Sequence, residues 1–202
     1  MSSTGGRDTI LTPEQILDTA EEVLRRFGPA KATVLDVARS LGVSHGSVYR
    51  HFSSKSALRD AVAERWLARV STPLAAIAAE DGPAPERLRR WLTQLSSEKR
   101  RRAREDPELF DTFHTIATQA REVVTVHLRI LAAQITQIIE SGVTRNEFGP
   151  TDTAMAGRAV LQATARFHHP AHAVEWSEPG IDADLDAVIE LVLRGLQTHP
   201  QG

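Results

Sequence analysis

The spacing of apolar residues along this 202-residue chain predicts helices throughout, and no stretch shows the sustained alternation of a strand. A capping box at Thr12-Pro13-Glu14-Gln15 marks the start of the first helix, and Gly28-Pro29 marks its end. Two short helices follow within residues 33–52. We therefore expect an all-α chain of about nine helices, with the later ones at about 55–70, 85–104, 107–118, 120–141, 151–168 and 182–198.

Residues 33–55 predict two short helices joined by a tight turn. Thr33 can cap the first helix, and Gly42 can adopt the left-handed conformation that ends it. Ser44 can cap the second helix, which we expect to run from about residue 45 to 52. The apolar side chains expected to fix the angle between the two helices are Ala38, Val43, Val48 and Phe52. This arrangement is typical of a helix-turn-helix.

The second of these helices carries side chains suited to DNA. A helix-turn-helix presents the N-terminal end of its second helix to base edges in the major groove. Tyr49, His51 and Lys55 suit phosphate contacts, and no carboxylate lies between Val37 and Arg59. The residues expected to read bases are Ser44, His45, Gly46, Ser47 and Arg50. The alternative is a helical hairpin of an ordinary bundle, in which Tyr49 and His51 are half-buried.

Composition narrows the choice of function. The formal net charge of −2 is unusual for a DNA-binding protein, so the local positive charge of the helix-turn-helix carries that argument. The chain has no cysteine, which excludes disulfides. Residues 1–11 lack an apolar signal region and are expected to be disordered, and no apolar stretch approaches a membrane span, so we expect a cytoplasmic protein without a membrane partner. No phosphate loop, nucleophile elbow or paired-carboxylate motif is present, so we expect neither an enzyme nor a cofactor.

The run from Thr33 to Leu58 resembles the DNA-binding signature of the TetR/AcrR family of transcriptional regulators. The resemblance extends over about 60 residues, from 12 to 66. After the tail at 1–11, it implies a three-helix DNA-binding domain at 12–54 and a helical ligand-binding and dimerisation domain at 55–202. The residues that carry it are Thr33, Val34, Asp36, Val37, Ala38, Gly42, Val43, Ser44, Gly46, Ser47, Val48, Tyr49, His51, Phe52, Ser54, Lys55 and Leu58.

The resemblance also implies a mechanism. The expected protein is a homodimeric repressor on a palindromic double-stranded DNA operator, and an unidentified small-molecule inducer moves the helix at 55–70 to release the DNA. Thr33 joins the expected DNA contacts. Leu35 stands where family members can carry a polar base-reading residue, so readout is expected to depend on the second helix. Two alternatives stay open, a small-molecule-binding helical protein without a DNA role and a DNA-binding protein without a ligand.

The resemblance places the ligand pocket in the C-terminal domain and the dimer interface on the last two long helices. The alternative for every residue concerned is ordinary packing inside its own subunit. The candidate pocket residues are Trp66, Trp91, Phe110, Phe113, His114, Ala117, His127, Phe167 and His168. The candidate interface residues are Ala159, Ala163, Leu185, Val188, Ile189, Val192 and Leu196. The helix at 120–141 is apolar nearly all round, which predicts that it is buried at the centre of this domain.

Two further clusters allow more than one interpretation. His168, His169 and His172 lie close in sequence, but Pro170 separates them and no cysteine or well-spaced carboxylate joins them, so no metal site is predicted. The basic run 99–104 favours a solvated helix face that complements the helix dipole. The alternatives for that run are a contact to the DNA backbone or the mouth of a site for an anionic ligand.

Overall fold

The structure, a computed structural model, describes residues 11–197. These residues form helices and no strand, which confirms the predicted all-α fold; the predicted tail at 1–11 lies outside them except for its last residue. Two 3₁₀ segments, Ala165–Phe167 and Pro170–Ser177, separate the last two α-helices. The α-helices are α1 (Pro13–Lys31), α2 (Val34–Leu41), α3 (His45–Tyr49), α4 (Lys55–Ala79), α5 (Ala84–Glu105), α6 (Pro107–Gln119), α7 (Arg121–Thr144), α8 (Thr153–Ala163) and α9 (Ile181–Leu196).

Helix α1 begins at the predicted capping box. The Thr12 hydroxyl accepts the Gln15 backbone N–H at 3.2 Å, and the Gln15 side chain accepts the Thr12 backbone N–H at 3.0 Å. The predicted stop at Gly28 is a kink instead, because Gly28 has φ 73° but one more turn follows to Lys31. Helix α1 packs against α2, α4 and α6 and so braces the helices that follow it.

Helices α2 and α3 meet at the predicted turn. Gly42 ends α2 with φ 69°, a conformation that glycine adopts without the strain of a side chain. Helix α3 ends at Tyr49, three residues earlier than predicted, and a turn carries the chain to α4. Ala38 and Val48 are buried as expected, whereas Val43 and Phe52 are only half-buried because they lie at the edge of this small core.

Helix α4 is longer than the sequence suggested, ending at Ala79 rather than near residue 70. Its buried side chains repeat at every fourth position over six turns: Leu58, Val62, Trp66, Val70, Leu74 and Ala78. The first of these pack with α1–α3 and the last pack with α5 and α7. Pro73 lies on the exposed side and does not end the helix. One rigid element therefore runs from the small N-terminal core into the larger one.

The larger core lies where α5, α7, α8 and α9 converge. Helix α7 packs on α4, α5, α6 and α8, but the prediction that it is buried nearly all round is wrong. Val126, Leu128 and Ile130 are each 40–43% exposed, because no other element of the described residues covers the outer face of its first turns. Among the described helices, α7 alone is long and apolar enough to cross a membrane, although no apolar stretch of that length was expected from the sequence. Helices buried in a protein core meet the same criterion.

Helix α8 ends at Ala163 instead of continuing to residue 168. The Thr164 hydroxyl donates to the Val160 carbonyl at 2.9 Å, and the backbone then tightens into the 3₁₀ segment. Gly157 faces α7 so closely that an added Cβ would lie 2.3 Å from Thr136 Oγ1. The small residue at this position therefore serves packing within the chain.

Candidate DNA-binding surface and ligand cavity

The outer surface of α3 carries a connected group of polar side chains. Ser44 caps the helix by accepting the Ser47 backbone N–H at 3.2 Å, and the two hydroxyl oxygens lie 3.0 Å apart. Arg50 Nη2 donates to Ser47 Oγ at 3.3 Å. These contacts hold the Arg50 guanidinium beside the start of the helix, the end from which a helix-turn-helix reads bases.

Aromatic and cationic groups flank this polar group. The rings of His45 and Tyr49 meet edge to face with centroids 6.2 Å apart, and both side chains are exposed. His51 is exposed as well, and Lys55 is exposed in the first turn of α4, which Ser54 caps through the Ala57 N–H. The structure therefore brings the residues predicted to contact bases and phosphates onto one continuous segment, with none of them buried.

Gly46 leaves the backbone of α3 open. A Cβ built at this position would meet only Ser44 Oγ, at 3.7 Å, which is ordinary van der Waals contact. The fold itself therefore has room for a side chain here and does not require glycine.

Thr33 has a local structural role. Its hydroxyl donates to Asp36 Oδ2 at 2.6 Å and accepts the Asp36 backbone N–H at 3.2 Å, while its own N–H donates to the same carboxylate. These bonds form the capping box of α2. Thr33 is exposed, so its contribution to DNA contact stays a prediction.

A cavity of about 170 Å³ lies among α4, α5, α6, α7 and the chain after α8. Five of the predicted pocket residues line it: Trp66, His114, Ala117, His127 and His168. The residues that the prediction missed are Leu67, Lys99, Thr118, Val124, Leu128, Leu131, His169 and Pro170.

The other four predicted pocket residues belong to the packing around it. Trp91 is fully buried in the larger core, where its indole N–H donates to Gln134 Oε1 at 3.0 Å. Phe167 is buried in the same core. Phe113 stacks on Trp66 with ring centroids 5.0 Å apart, and Phe110 contacts the same indole edge to face. Large aromatic side chains were sound candidates for burial, but the pattern could not tell a cavity wall from the layer behind it.

Lys99 is the unexpected member of the cavity wall. Its side chain is 4% exposed, and its ammonium lies 5.1 Å from the centroid of the Trp66 ring. No hydrogen bond and no carboxylate oxygen within 4.0 Å accompanies it among residues 11–197. Burial, aided by the Arg102 charge, lowers the pKa of Lys99 to about 8. The sequence carried a signal for it, because Lys99 continues the buried stripe of Leu88, Leu92 and Leu95.

Two buried histidines lie near this ammonium. Burial, with the charges of Lys99 and His168, lowers the pKa of His127 to about 3. Among the described residues its Nε2 is buried without a hydrogen-bond partner. Burial lowers the pKa of His168 to about 4, although its Nε2 lies 3.2 Å from the Leu161 carbonyl oxygen. Both rings are therefore neutral at pH 7, and they lie beside the charged ammonium of Lys99.

The histidine cluster has separate partners for each ring. His169 Nδ1 accepts the Ala171 backbone N–H at 3.2 Å, and His172 Nδ1 lies 2.7 Å from Glu175 Oε1. His168 points instead into the buried layer beneath α8. Within the described part of the chain, no group of three or more histidine, cysteine, aspartate or glutamate side chains is placed to hold a metal ion.

Three arginines of the basic run after Lys99 lie outside the cavity and are paired within the chain. Arg100 pairs with Asp182, while Arg101 and Arg102 both pair with Glu98. Arg101 and Arg104 are exposed, as the solvated-face interpretation expects, whereas Arg100 and Arg102 are half-buried. Lys99 is the residue of the run that lines the cavity.

The predicted interface residues divide into three groups by exposure. Leu185 and Ile189 are 3% and 0% exposed and pack in the chain's own core, so the prediction that they face a second copy is wrong. The apolar stripe of α9 is needed to close that core against α5. Val188, Val192 and Leu196 are half-buried against it. Ala159 and Ala163 are exposed on α8, and two large apolar side chains are exposed nearby in sequence, Met155 on α8 and Leu191 on α9.

The fold and the polar surface of α3 together define a helix-turn-helix DNA-binding regulator. Residues 16–62 match the family described as bacterial regulatory proteins of the tetR family, and residues 84–189 match the tetracyclin repressor-like C-terminal domain. The chain belongs to the tetR family and is a transcriptional regulator. This family is one of regulators rather than enzymes.

Similar proteins agree with this assignment. An uncharacterized HTH-type transcriptional regulator of Mycobacterium tuberculosis is 27% identical over 152 residues, which cover 75% of this chain and 70% of that protein. An HTH-type transcriptional repressor of the same species is 33% identical over 103 residues, covering 46% and 52%.

Solved structures show the same fold at lower identity. SmeT, the repressor of the Stenotrophomonas maltophilia multidrug efflux pump SmeDEF, has a TM-score of 0.68 at 20% identity, covering 96% of this chain and 94% of its own. The regulator FadR from Bacillus subtilis, in complex with stearoyl-CoA, has a TM-score of 0.65 at 18% identity, covering 92% and 100%.

Proposed function

We propose that the protein is a homodimeric repressor that binds a palindromic operator and leaves it when a small molecule occupies the cavity at Trp66. One observation carries the proposal. A single helix, α4, presents Lys55 to the DNA-contact surface and Trp66 to the cavity. These residues are eleven positions apart, which corresponds to about 16 Å along an α-helix.

Helix α4 is tied firmly to the N-terminal helices. Arg65 pairs with Asp18 and Glu21 of α1, and Arg69 also pairs with Glu21. On the other side, Arg59 donates to the side chain of Gln119 at the end of α6. A displacement of α4 at Trp66 would therefore carry α1–α3 with it as a unit. A ligand shifts the balance only if it binds the non-DNA-binding spacing more tightly than the other one.

The short length of α3 favours a pair of two copies on DNA. Helix α3 has five residues and contacts few base pairs, whereas a two-fold pair presents two such helices to half-sites about one DNA turn apart. Surface suited to self-association is available on the last two helices. Met155 and Leu191 are 58% and 72% exposed, and the small residues Ala159 and Ala163 follow Met155 along α8.

Two of the similar structures support a ligand-responsive regulator. SmeT is described as a repressor, and the FadR structure holds a bound stearoyl-CoA. By the same likeness we place this protein in the cytoplasm, on chromosomal DNA.

The test is selection of duplexes from a random library by the full-length protein, with native mass spectrometry of the complex. The proposal predicts an inverted-repeat motif bound by two copies. Tyr49→Ala combined with Lys55→Ala should abolish selection. The control is Arg90→Ala, which should leave the selection of duplexes intact. Arg90 lies on α5 and pairs with Glu80, just after the end of α4 opposite Lys55. Recovery of random sequence, or of a motif without two-fold symmetry, would count against the proposal.

A further inference from the structure

We propose that the cavity binds a small monocarboxylate with a ring-sized or short-chain apolar body, and that the ammonium of Lys99 holds its carboxylate. This inference rests on the proposed function, because it names the ligand class of the same cavity. It goes further than the family assignment, since nothing in the fold alone requires a charged ligand.

The first argument is the unbalanced charge. Buried lysines are rare unless they are paired, because an ammonium loses its hydration when it leaves water. Lys99 is 4% exposed and, within residues 11–197, has only the Trp66 ring as a partner. Its nearest acidic neighbour, Glu98, is held by Arg101 and Arg102 on the outer side of α5. A carboxylate inside the cavity would supply the missing negative charge.

The second argument is an unsatisfied nitrogen in the same wall. His127 is 6% exposed, and its Nε2 is buried with no hydrogen-bond partner in the described part of the chain. A neutral imidazole carries one N–H and one acceptor nitrogen. In the tautomer protonated at Nε2, His127 can donate to a ligand oxygen while Lys99 pairs with the same carboxylate.

The third argument is the size and lining of the cavity. Its volume is about 170 Å³, and its lining includes the apolar side chains of Trp66, Leu67, Val124 and Leu131. An apolar protein cavity of ~150 Å³ is large enough to hold benzene. The space therefore suits one aromatic ring or a short alkyl chain, placed against these side chains with its charged end at Lys99.

The number of charges selects a monoanion. His127 and His168, the two buried histidines of the wall, are neutral at pH 7, so Lys99 is the buried positive charge that a ligand would meet. A phosphate dianion would leave one negative charge unbalanced in this apolar space, and a neutral ligand would leave the ammonium unpaired.

An entry route accompanies the cavity. A groove of about 760 Å³ runs along α7 and α8, and Leu128, His168 and His169 line both the groove and the cavity. The groove carries two cations, Arg129 and Arg158, and one carboxylate, Glu140, and this positive balance favours the approach of an anion from solvent.

The experiment is isothermal titration calorimetry of the full-length protein with three acids, benzoate, phenylacetate and hexanoate, each beside its neutral amide. Lys99→Met removes the buried charge and nearly keeps the volume. Arg104→Met, an exposed residue on the same helix, removes one positive charge from solvent and is the matched control. Circular dichroism and thermal unfolding confirm that both variants are folded.

At least one acid should bind ten or more times tighter than its amide. Lys99→Met should remove that difference, and Arg104→Met should keep it. Equal binding of acids and amides, unchanged acid binding by Lys99→Met, or no acid binding at millimolar concentration would overturn the proposal.

DNA binding separates the two proposals. If neutral compounds release the selected duplex while the acids do not bind, the ligand-responsive repressor stands and the carboxylate assignment fails. If an acid binds through Lys99 but leaves DNA affinity unchanged, the carboxylate site stands and the release mechanism fails.

Discussion

Lys99 and Trp66 meet inside the protein, with the Lys99 ammonium 5.1 Å from the centroid of the Trp66 ring. The pair joins α5 to α4, the helix whose first turn carries Lys55 on the DNA-contact surface. On its other side Trp66 stacks on Phe113 of α6. A ligand that draws the ammonium away from this ring changes the packing of the helix that leads to the DNA.

Replacing Lys99 by methionine should stabilise the ligand-free protein. Burial lowers the pKa of Lys99 from 10.5 to about 8, so holding its charge at pH 7 costs on the order of 3 kcal/mol. Methionine fills similar space without that cost. Urea unfolding at pH 7 measures the gain in free energy.

The pH dependence of that gain provides its control. The folded-state pKa of Lys99 lies below its unfolded value of about 10.5, so the wild-type protein gains stability as pH rises from about 8 toward 10.5. The advantage of Lys99→Met should therefore shrink over this range. A variant that is less stable than wild type at pH 7 would show that the ammonium stabilises the fold.

Acid should destabilise the protein through its two buried histidines. Burial holds the pKa of His127 at about 3 and that of His168 at about 4, below the ordinary value near 6.5. As pH falls below 6.5, these two histidines take up protons in the unfolded chain but stay neutral in the folded chain, so the folded state loses stability. The loss is up to ~1.4 kcal/mol per pH unit for each histidine. Urea unfolding at pH 7.5 and 5.5 measures the loss.

His127→Gln should reduce the loss between these two pH values, because it removes one of the groups responsible. The comparison variant is His51→Gln, which changes an exposed ring on the DNA-contact surface and should keep the wild-type slope. Identical slopes for all three proteins would place the acid sensitivity elsewhere.

Gly46→Ala should fold normally and bind DNA poorly. The added Cβ meets only Ser44 Oγ at 3.7 Å, so the free energy of unfolding should change by well under ~1 kcal/mol. On DNA the methyl group would lie between α3 and the groove, and we expect affinity to fall about tenfold, a change of ~1.4 kcal/mol. Thermal unfolding and fluorescence anisotropy on the selected duplex measure the two effects. Unchanged DNA affinity would remove Gly46 from the interface.

Affinity for a carboxylate ligand should fall above pH 8. The acid pairs with protonated Lys99, whose pKa lies at about 8, so apparent affinity should fall by up to about tenfold per pH unit as the ammonium loses its proton. The neutral amides should show no such trend, and Lys99→Met should abolish it. The other titratable or charged groups around Lys99 are Glu98, Arg102, His114, His127, His168 and His169.

Much of the structure of the DNA-binding domain was predictable, because it depends on residues that are close in sequence. Capping at Thr12, Thr33 and Ser44 and the left-handed turn at Gly42 each depend on residues within four positions. Exposure of the α3 surface followed from the same short segment. Helix α4 was underestimated because its prediction stopped before Leu74, although the four-residue stripe continued.

The cavity and the interface depend on contacts between distant segments, and there the sequence was a weaker guide. The aromatic side chains Trp91 and Phe167 looked like pocket residues but fill the larger core. Leu185 and Ile189 looked like an interface but close that core. Lys99 was predicted to lie on a solvated face because it begins the basic run 99–104. It also continues a buried apolar stripe, and its burial follows that stripe.

The most direct test of the account is fluorescence anisotropy of the selected operator duplex, titrated with protein in the presence and absence of the tightest-binding acid. The account predicts that saturating acid weakens DNA binding at least tenfold for wild type and for Arg104→Met. Lys99→Met should hold the duplex equally well with and without the acid. Release of DNA from Lys99→Met at the same acid concentration as from wild type would contradict it.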